Sequence, residues 1–318
     1  MPSVADSALW IGFVLFVCCL LALDLFAFGG RKAQIMGMKK ALSLSLFWIL
    51  LALLFNLILW VYLNQTQDSV IANENALNFL TGYLVEKSLS VDNLFIFLMI
   101  FNAFQIPPAL QKRVFTYGIL GAIILRGIMI ALGATLVHEF SWILYLFGLF
   151  LLFTGIKMAL SKNTHHPLQE SVLMRLCRQY LRVTATLHGE RFFVKEKDLL
   201  AVTPLFLVLI LIEFSDLAFA TDSIPAIFAI TQDPFIIFSS NVFAILGLRS
   251  LYFVLAGLLQ RFAYLHYGLA LILVLIGVKL LLEPFYQLPA VVTLLSVFLI
   301  LLGSVMLSLV FPQKAKCP

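Results

Sequence analysis

Charged side chains are scarce in this chain of 318 residues. They make up 12% of it, whereas 62% of the residues are hydrophobic. A soluble globular domain carries about a quarter charged residues and is under half apolar. With a mean hydropathy of +1.05, the chain has more apolar surface than a water-exposed fold of this length can bury. The composition therefore predicts an all-α, polytopic transmembrane bundle, in which the lipid bilayer is the main partner.

Several motifs of soluble chemistry are also missing. The four cysteines, Cys18, Cys19, Cys177 and Cys317, have neither a CxxC spacing nor a pattern typical of disulfides. The sequence has no phosphate-binding GxxxxGK[ST] loop and no HExxH motif. The few basic residues lie mostly in short loops between apolar stretches, which argues against nucleic-acid binding. We therefore expect a protein that is not an enzyme and has no permanently bound cofactor.

Long apolar runs dominate what is present. A helix needs about 20 predominantly apolar residues to cross a bilayer, and nine stretches qualify. The first lacks a basic leader and a cleavage site, which predicts a retained helix and not a signal peptide. The predicted spans are 8–28, 41–63, 77–104, 114–137, 141–160, 200–230, 235–258, 265–282 and 290–311.

The loop charges predict the orientation of these spans. Lys and Arg outside the spans fall in alternate loops and in the C-terminal tail, whereas the other loops and the N-terminus carry only acids. Because basic loops stay in the cytoplasm, we expect the N-terminus outside and the C-terminus inside. The cytoplasmic basic loop, residues 161–199, repeats Leu, Val and Tyr at helical spacing in its first half. That pattern fits either an amphipathic helix on the membrane or a solvated connector.

An internal repeat relates the two halves of the chain. Residues 85–97 read VEKSLSVDNLFIF and residues 215–228 read SDLAFATDSIPAIF, each with two acids six positions apart. Later segments match as well, so that spans three to five resemble spans six to eight. The predicted repeats are residues 77–160 and 200–282. Because each holds three spans, the second copy must cross the membrane in the opposite sense, as in many secondary transporters.

Carboxylates inside the spans are the candidate functional groups, since a charge in the bilayer is costly and normally serves a function. Glu213 and Asp216 are three residues apart and share a helix face. Asp222 points the other way on an ideal helix, and we expect Pro225 to break the helix and free the carbonyl of Thr221. The acids within the spans are Asp24, Glu86, Asp92, Glu213, Asp216 and Asp222.

The oxygen ligands in these spans suit a hard divalent cation. Carboxylates, the Asn93 amide and the hydroxyls of Thr221 and Ser223 favour Mg²⁺, Ca²⁺ or Mn²⁺ over softer metals. The same acids also fit a structural interpretation. They would then be salt-bridged to Arg126 or Arg249, or protonated and hydrogen-bonded between helices. Helix-end exposure is as good an explanation of Asp24 as a functional role.

Two segments resemble the signature sequences of a known family. EKSLSVDN at 86–93 and EFSDLAFATDSIPAIFA at 213–229 are similar to those of the TerC family of integral membrane proteins, and within it to the Alx branch of the bacterial inner membrane. The resemblance implies efflux of Mn²⁺ as transported substrate, with protons as the candidate coupling ion. The alternative is a membrane scaffold or a stress-response protein of the tellurium-resistance type, with unknown protein partners. The metal-path residues carried over by the resemblance are Glu86, Asp92, Asn93, Glu213, Asp216, Asp222 and Ser223.

Overall fold

A computed structural model describes residues 3–26, 37–140, 142–160, 182–184, 186–196, 199–256, 264–282 and 289–310. Within these ranges the protein is built from helices and one short hairpin. The helices are α1 (Ser7–Phe26), α2 (Met38–Thr66), α3 (Ser69–Ala103), α4 (Pro108–Glu139), α5 (Ile143–Leu160), α6 (Pro204–Phe228), α7 (Pro234–Ile245), α8 (Leu248–Ala256), α9 (Leu265–Leu282) and α10 (Ala290–Val310). The strands are β1 (Phe193–Glu196) and β2 (Leu199–Val202).

Five of the described helices, namely α2, α4, α5, α6 and α10, are long and apolar enough to cross a membrane. A sixth span is formed if α7 and α8, which are bent by 41° at their junction, are counted together. The apolar parts of α1 and α9 are shorter, and α3 includes the charged residues Glu86, Lys87 and Asp92. The helical membrane fold is thus confirmed, whereas the count of nine spans stays a prediction.

Helix starts follow local chemistry. Proline occupies the first turn of α4, α6 and α7, where the missing N–H has no helical partner to lose. Asp233 also caps α7 by accepting hydrogen bonds from the backbone N–H groups of Phe235 at 2.8 Å and Ile236 at 3.2 Å. The same carboxylate accepts the N–H of Val4 at 2.6 Å. Asp233 thereby ties the N-terminal segment to the start of α7.

The structure corrects the predicted start of span six. Residues 199–202 form β2, which pairs with β1 in an antiparallel hairpin, and the helix starts at Pro204 and not at residue 200. Apolar residues in a four-residue run cannot be assigned to helix or strand from periodicity alone. The predicted amphipathic helix in the first half of the basic loop lies outside the described residues.

The predicted helix break at Pro225 is wrong. Helix α6 continues to Phe228, and Pro225 lies in its last turn. The break instead falls in the next span, between α7 and α8, where Gly247 has a φ of +85°. A Cβ at this position would lie 2.7 Å from Trp48 Cγ, so the turn needs glycine both for its backbone angle and for the close approach of α2.

Helices of one predicted repeat pack against helices of the other. Helix α3 packs on α7, α4 packs on α6, and α5 packs along α9. Helices α5 and α9 approach closely, since a Cβ at Gly155 would lie 2.8 Å from the carbonyl oxygen of Ala270. A Cβ at Gly277 would similarly lie 2.9 Å from the carbonyl oxygen of Gly148. Such reciprocal contacts are those that a pseudo-twofold axis between two three-span units produces.

Candidate functional site

Arg126, on α4, is the centre of the candidate site and is 1% exposed. Its Nη1 donates a hydrogen bond to Glu86 on α3 and another, of 3.0 Å, to Asn241 Oδ1 on α7. On its other side, Nε and Nη2 donate to the two carboxylate oxygens of Asp216 on α6, at 3.2 and 2.9 Å. One guanidinium therefore joins four helices, two from each predicted repeat.

The sequence brings these groups together because each helix places its polar residue on its buried face. Glu86 is 0% exposed and Asp216 is 4% exposed. Charges removed from water must be paired and hydrogen-bonded to be tolerated, and the planar guanidinium suits a bidentate carboxylate. Yet one oxygen of Glu86, Oε2, has no hydrogen-bond partner among the described residues. The pairing is therefore incomplete on the α3 side.

Glu213 lies one turn before Asp216 on α6 and is not among the partners of Arg126. Its carboxylate rests against Gly121 of α4, where a Cβ would lie only 2.5 Å from Glu213 Cδ. Glu213 Oε2 is buried and has no hydrogen-bond partner in the described part of the chain. Together with Asp216 it lines a cavity of about 20 Å³, which is room for a single water. The other walls are apolar and come from α3, α4, α6 and the α7–α8 junction.

Carboxylates outnumber the guanidinium that pairs with them in this site. The buried Glu86 and Asp216 and the half-buried Glu213 lie around the guanidinium of Arg126. In a medium of low dielectric constant such an excess of negative charge is neutralised by protons or by a bound cation. The arrangement is thus able to attract a cation to the interface between the two predicted repeats.

The predicted site residues are only partly brought together. Glu86 and Asp216 meet through Arg126, which makes the expected structural pairing of this arginine correct. Asn93 on α3 and Ser223 on α6 are buried, and Ser223 Oγ has no hydrogen-bond partner among the described residues. Arg249 is buried on α8. Across the described residues, no three His, Cys, Asp or Glu side chains are grouped as metal ligands.

Four predicted residues need separate comment. Thr221 is exposed, and its hydroxyl donates to the Ala218 carbonyl of its own helix at 2.6 Å, so the structure does not support the predicted ligand role of this hydroxyl. Helix α6 is continuous, but Pro225 has no N–H to donate to the carbonyl of Thr221 four residues earlier, so the expected release of that carbonyl stays a prediction. The backbones of Asp24, Asp92 and Asp222 lie on α1, α3 and α6, but their side chains lie outside what the structure describes.

Three residues of the site were missed by the sequence analysis. They are Asn241, a polar residue in an apolar span, Gly121 in the predicted span four, and Lys87 in the predicted span three. Lys87 Nζ donates to the carbonyl oxygens of Ala244 and Leu246, at 3.0 and 3.3 Å. The available signal was that Lys87 directly follows Glu86 in the middle of a span, too far from either end to reach water.

Comparison with known proteins identifies the family of this chain. The family described as "Integral membrane protein TerC family" matches residues 71–316. The chain belongs to the TerC family. A relative from Salmonella typhi, named "Putative membrane-bound redox modulator Alx", is 54% identical over 301 residues, covering 95% of this chain and 94% of its own.

Two further relatives extend the comparison within bacteria. The Alx protein of Escherichia coli strain K12 is also 54% identical, with the same coverage. A membrane protein of Myxococcus xanthus, STKORF319, is 46% identical over 314 residues, covering 99% of this chain and 96% of its own. No solved structure matches this TerC protein significantly. It is therefore a multi-pass integral membrane protein with bacterial relatives along nearly its whole length.

Proposed function

We propose that this TerC protein exports a divalent cation, Mn²⁺, from the cytoplasm across the bacterial inner membrane in exchange for protons. The observation that carries the proposal is the group of three carboxylates, two of them buried and one half-buried, around the guanidinium of Arg126. Structural pairing alone needs no third acid, and an unpaired carboxylate in the bilayer is expensive to keep. A cargo cation, and protons in its absence, would neutralise the excess.

The position of the site supports transport. Arg126 and Glu86 come from the first predicted repeat, and Asp216 and Asn241 come from the second. Secondary transporters with inverted repeats bind substrate where the repeats meet, near the middle of the membrane. Movement of one repeat against the other would then change the side from which these carboxylates are reached.

The choice of cation rests on ligand chemistry and on the family resemblance. Carboxylate, amide and hydroxyl oxygens suit Mn²⁺, Mg²⁺ and Ca²⁺, and the resemblance favours Mn²⁺. The redox role in the names of the relatives points to thiol chemistry as another candidate. The cysteines described here, Cys18 and Cys19, are adjacent on α1 and exposed. Adjacent positions on a helix do not face each other, so we favour cation transport.

The direct test is Mn²⁺ flux into proteoliposomes, with and without a pH gradient. Because carboxylates must bind the cargo, we expect Glu213→Gln, Asp92→Asn and Asp222→Asn each to reduce the flux at least tenfold, and the wild-type flux to respond to the gradient. The matched control is Asp68→Asn, which makes the same change at the exposed start of α3. Folding of every variant is checked by gel filtration.

Two results would contradict the proposal. One is unaltered flux in all three carboxylate variants. The other is an absence of flux in folded wild-type protein, which would favour a membrane scaffold that docks partners through its cytoplasmic basic loop. For a scaffold, deletion of residues 164–191, within that loop, would abolish the function of the protein in cells.

A further inference from the structure

Helix α7 ends inside the helix bundle. All of its residues from Phe235 to Ile245 except Phe238 are buried, and the chain turns by 41° into α8. The last carbonyls of any helix lack N–H partners from the following turn and carry partial negative charge. At the α7–α8 junction these carbonyls lie where water does not reach, so another group must satisfy them.

That group is the ammonium of Lys87. Lys87 belongs to α3, in the other predicted repeat, and its Nζ donates to Ala244 O at 3.0 Å and to Leu246 O at 3.3 Å. The ring of Tyr83 lies with its centroid 6.0 Å from the same Nζ, within the range of a cation–π contact. The ion pairs found among the described residues do not include Lys87. Carbonyl dipoles therefore provide the negative potential around this ammonium.

We propose that the broken end of α7 is a cation-binding site for a small hard cation, and that the ammonium of Lys87 is its tethered occupant. Half-helix C-terminal ends and unwound carbonyls coordinate cations in secondary transporters. Here the cation comes from the protein itself. The site consists of backbone oxygens and not of the carboxylates of the proposed export path, so it extends the proposed function without depending on it.

Occupation of this site has a consequence for the carboxylates. Ile245 and Leu248, on either side of the break, form one wall of the cavity that holds Glu213 and Asp216. A cation between Ala244 and Leu246 fixes the position of that wall. Lys87 is therefore a positioning residue for the neighbouring site, and its release would let the break and the wall move together.

The experiment uses the purified full-length protein in nanodiscs and measures its unfolding temperature. Samples contain either choline chloride, whose cation is too large for the site, or methylammonium chloride at the same ionic strength. We expect Lys87→Met to lower the unfolding temperature by about 5 °C in choline. Methylammonium should recover at least half of that loss in a saturable manner, with no effect on the wild type. Lys39→Met, at the exposed start of α2, is the matched control.

A second pair of variants separates charge from hydrogen bonding. Glutamine donates N–H groups to carbonyls without charge, whereas arginine donates with charge. The proposal predicts that Lys87→Arg unfolds at nearly the temperature of the wild type and that Lys87→Gln unfolds at a clearly lower temperature. This comparison decides the matter even if Lys87→Met fails to fold.

Equal stability of Lys87→Gln and wild type would overturn the proposal, as would a Lys87→Met protein that is indifferent to methylammonium. Neither measurement involves metal transport. A failure of the export hypothesis would therefore appear in the flux assay and leave this result unchanged.

Discussion

Arg126 shows how one buried residue can organise a membrane protein. Its guanidinium pairs with Glu86 and Asp216, and all three side chains are almost fully buried. The net benefit of such a group is small, because desolvation opposes the attraction between the charges. Removal of the arginine alone is different, since it leaves two carboxylates without their counter-charge.

We therefore expect Arg126→Met to destabilise the protein by about 3–5 kcal/mol, as measured by unfolding in detergent. The exposed pair between Arg113 and Glu190, at 2.9 Å, provides the comparison, since Arg113→Gln should cost about 0–1 kcal/mol. Adding Glu86→Gln and Asp216→Asn to Arg126→Met should restore part of the loss. A triple variant no more stable than Arg126→Met would contradict this account.

Gly121 determines where the Glu213 carboxylate can lie. A methyl group there would overlap the end of the Glu213 side chain, which is flexible and can move away at a cost of about 1 kcal/mol. We expect Gly121→Ala to fold but to lose most Mn²⁺ flux, because the carboxylate leaves its position by the cavity. Gly303→Ala is the control, since a Cβ there has no neighbour within 4 Å. Equal flux in the two alanine variants would show that this position of Glu213 is not needed.

At the scale of elements, the pairing of α5 with α9 depends on glycine. A Cβ at Gly155 would meet two backbone atoms, Ala270 O at 2.8 Å and Val274 N at 3.0 Å. Small residues let helix backbones approach closely in membranes, where lipid supplies no hydrophobic force between helices. This pair of helices also joins the two predicted repeats, since each helix comes from one of them.

Because backbone atoms cannot turn away as a side chain does, Gly155→Ala should cost about 1–3 kcal/mol. Thermal unfolding of the purified variant, with Gly303→Ala as the reference for an alanine in a span, measures this. The expected order of stability is wild type, Gly303→Ala and then Gly155→Ala. If Gly155→Ala unfolds at no lower a temperature than Gly303→Ala, helices α5 and α9 can move apart at little cost and their pairing does not depend on this glycine.

At the scale of the whole molecule, the orientation in the membrane is a prediction from charge. The basic residues of alternate loops place the C-terminus and the loop of residues 161–199 in the cytoplasm. A fluorescent protein fused after Pro318 should therefore mature and fluoresce, and a periplasm-dependent phosphatase fused there should be inactive. Fusions within the predicted outer loop of residues 283–289 should behave in the opposite way. Active phosphatase at the C-terminus would reverse the assigned topology.

The sequence by itself determined the solvent and the family, and it predicts the type of chemistry. Apolar runs of about 20 residues require a bilayer, and the loop charges predict an orientation within it. Acids at equivalent places in the two repeats identified Glu86 and Asp216, because a buried charge is visible in sequence wherever it interrupts an apolar run. The proline rule assigned the break to the wrong helix, since Pro225 is tolerated in the last turn of α6 and the break lies at Gly247.

Only the tertiary structure decided which groups meet. Arg126 binds Glu86 and Asp216 and does not bind Glu213. This choice depends on the rotation of α4 relative to α6, which the spacing of residues in the sequence does not determine. The break at Gly247 lies close against Trp48 of α2, and Lys87 of α3 donates to the carbonyl oxygens of Ala244 and Leu246 just before it. A turn that depends on partners from distant helices leaves only a weak local signal, because the free energy that holds it comes from the packing of those helices.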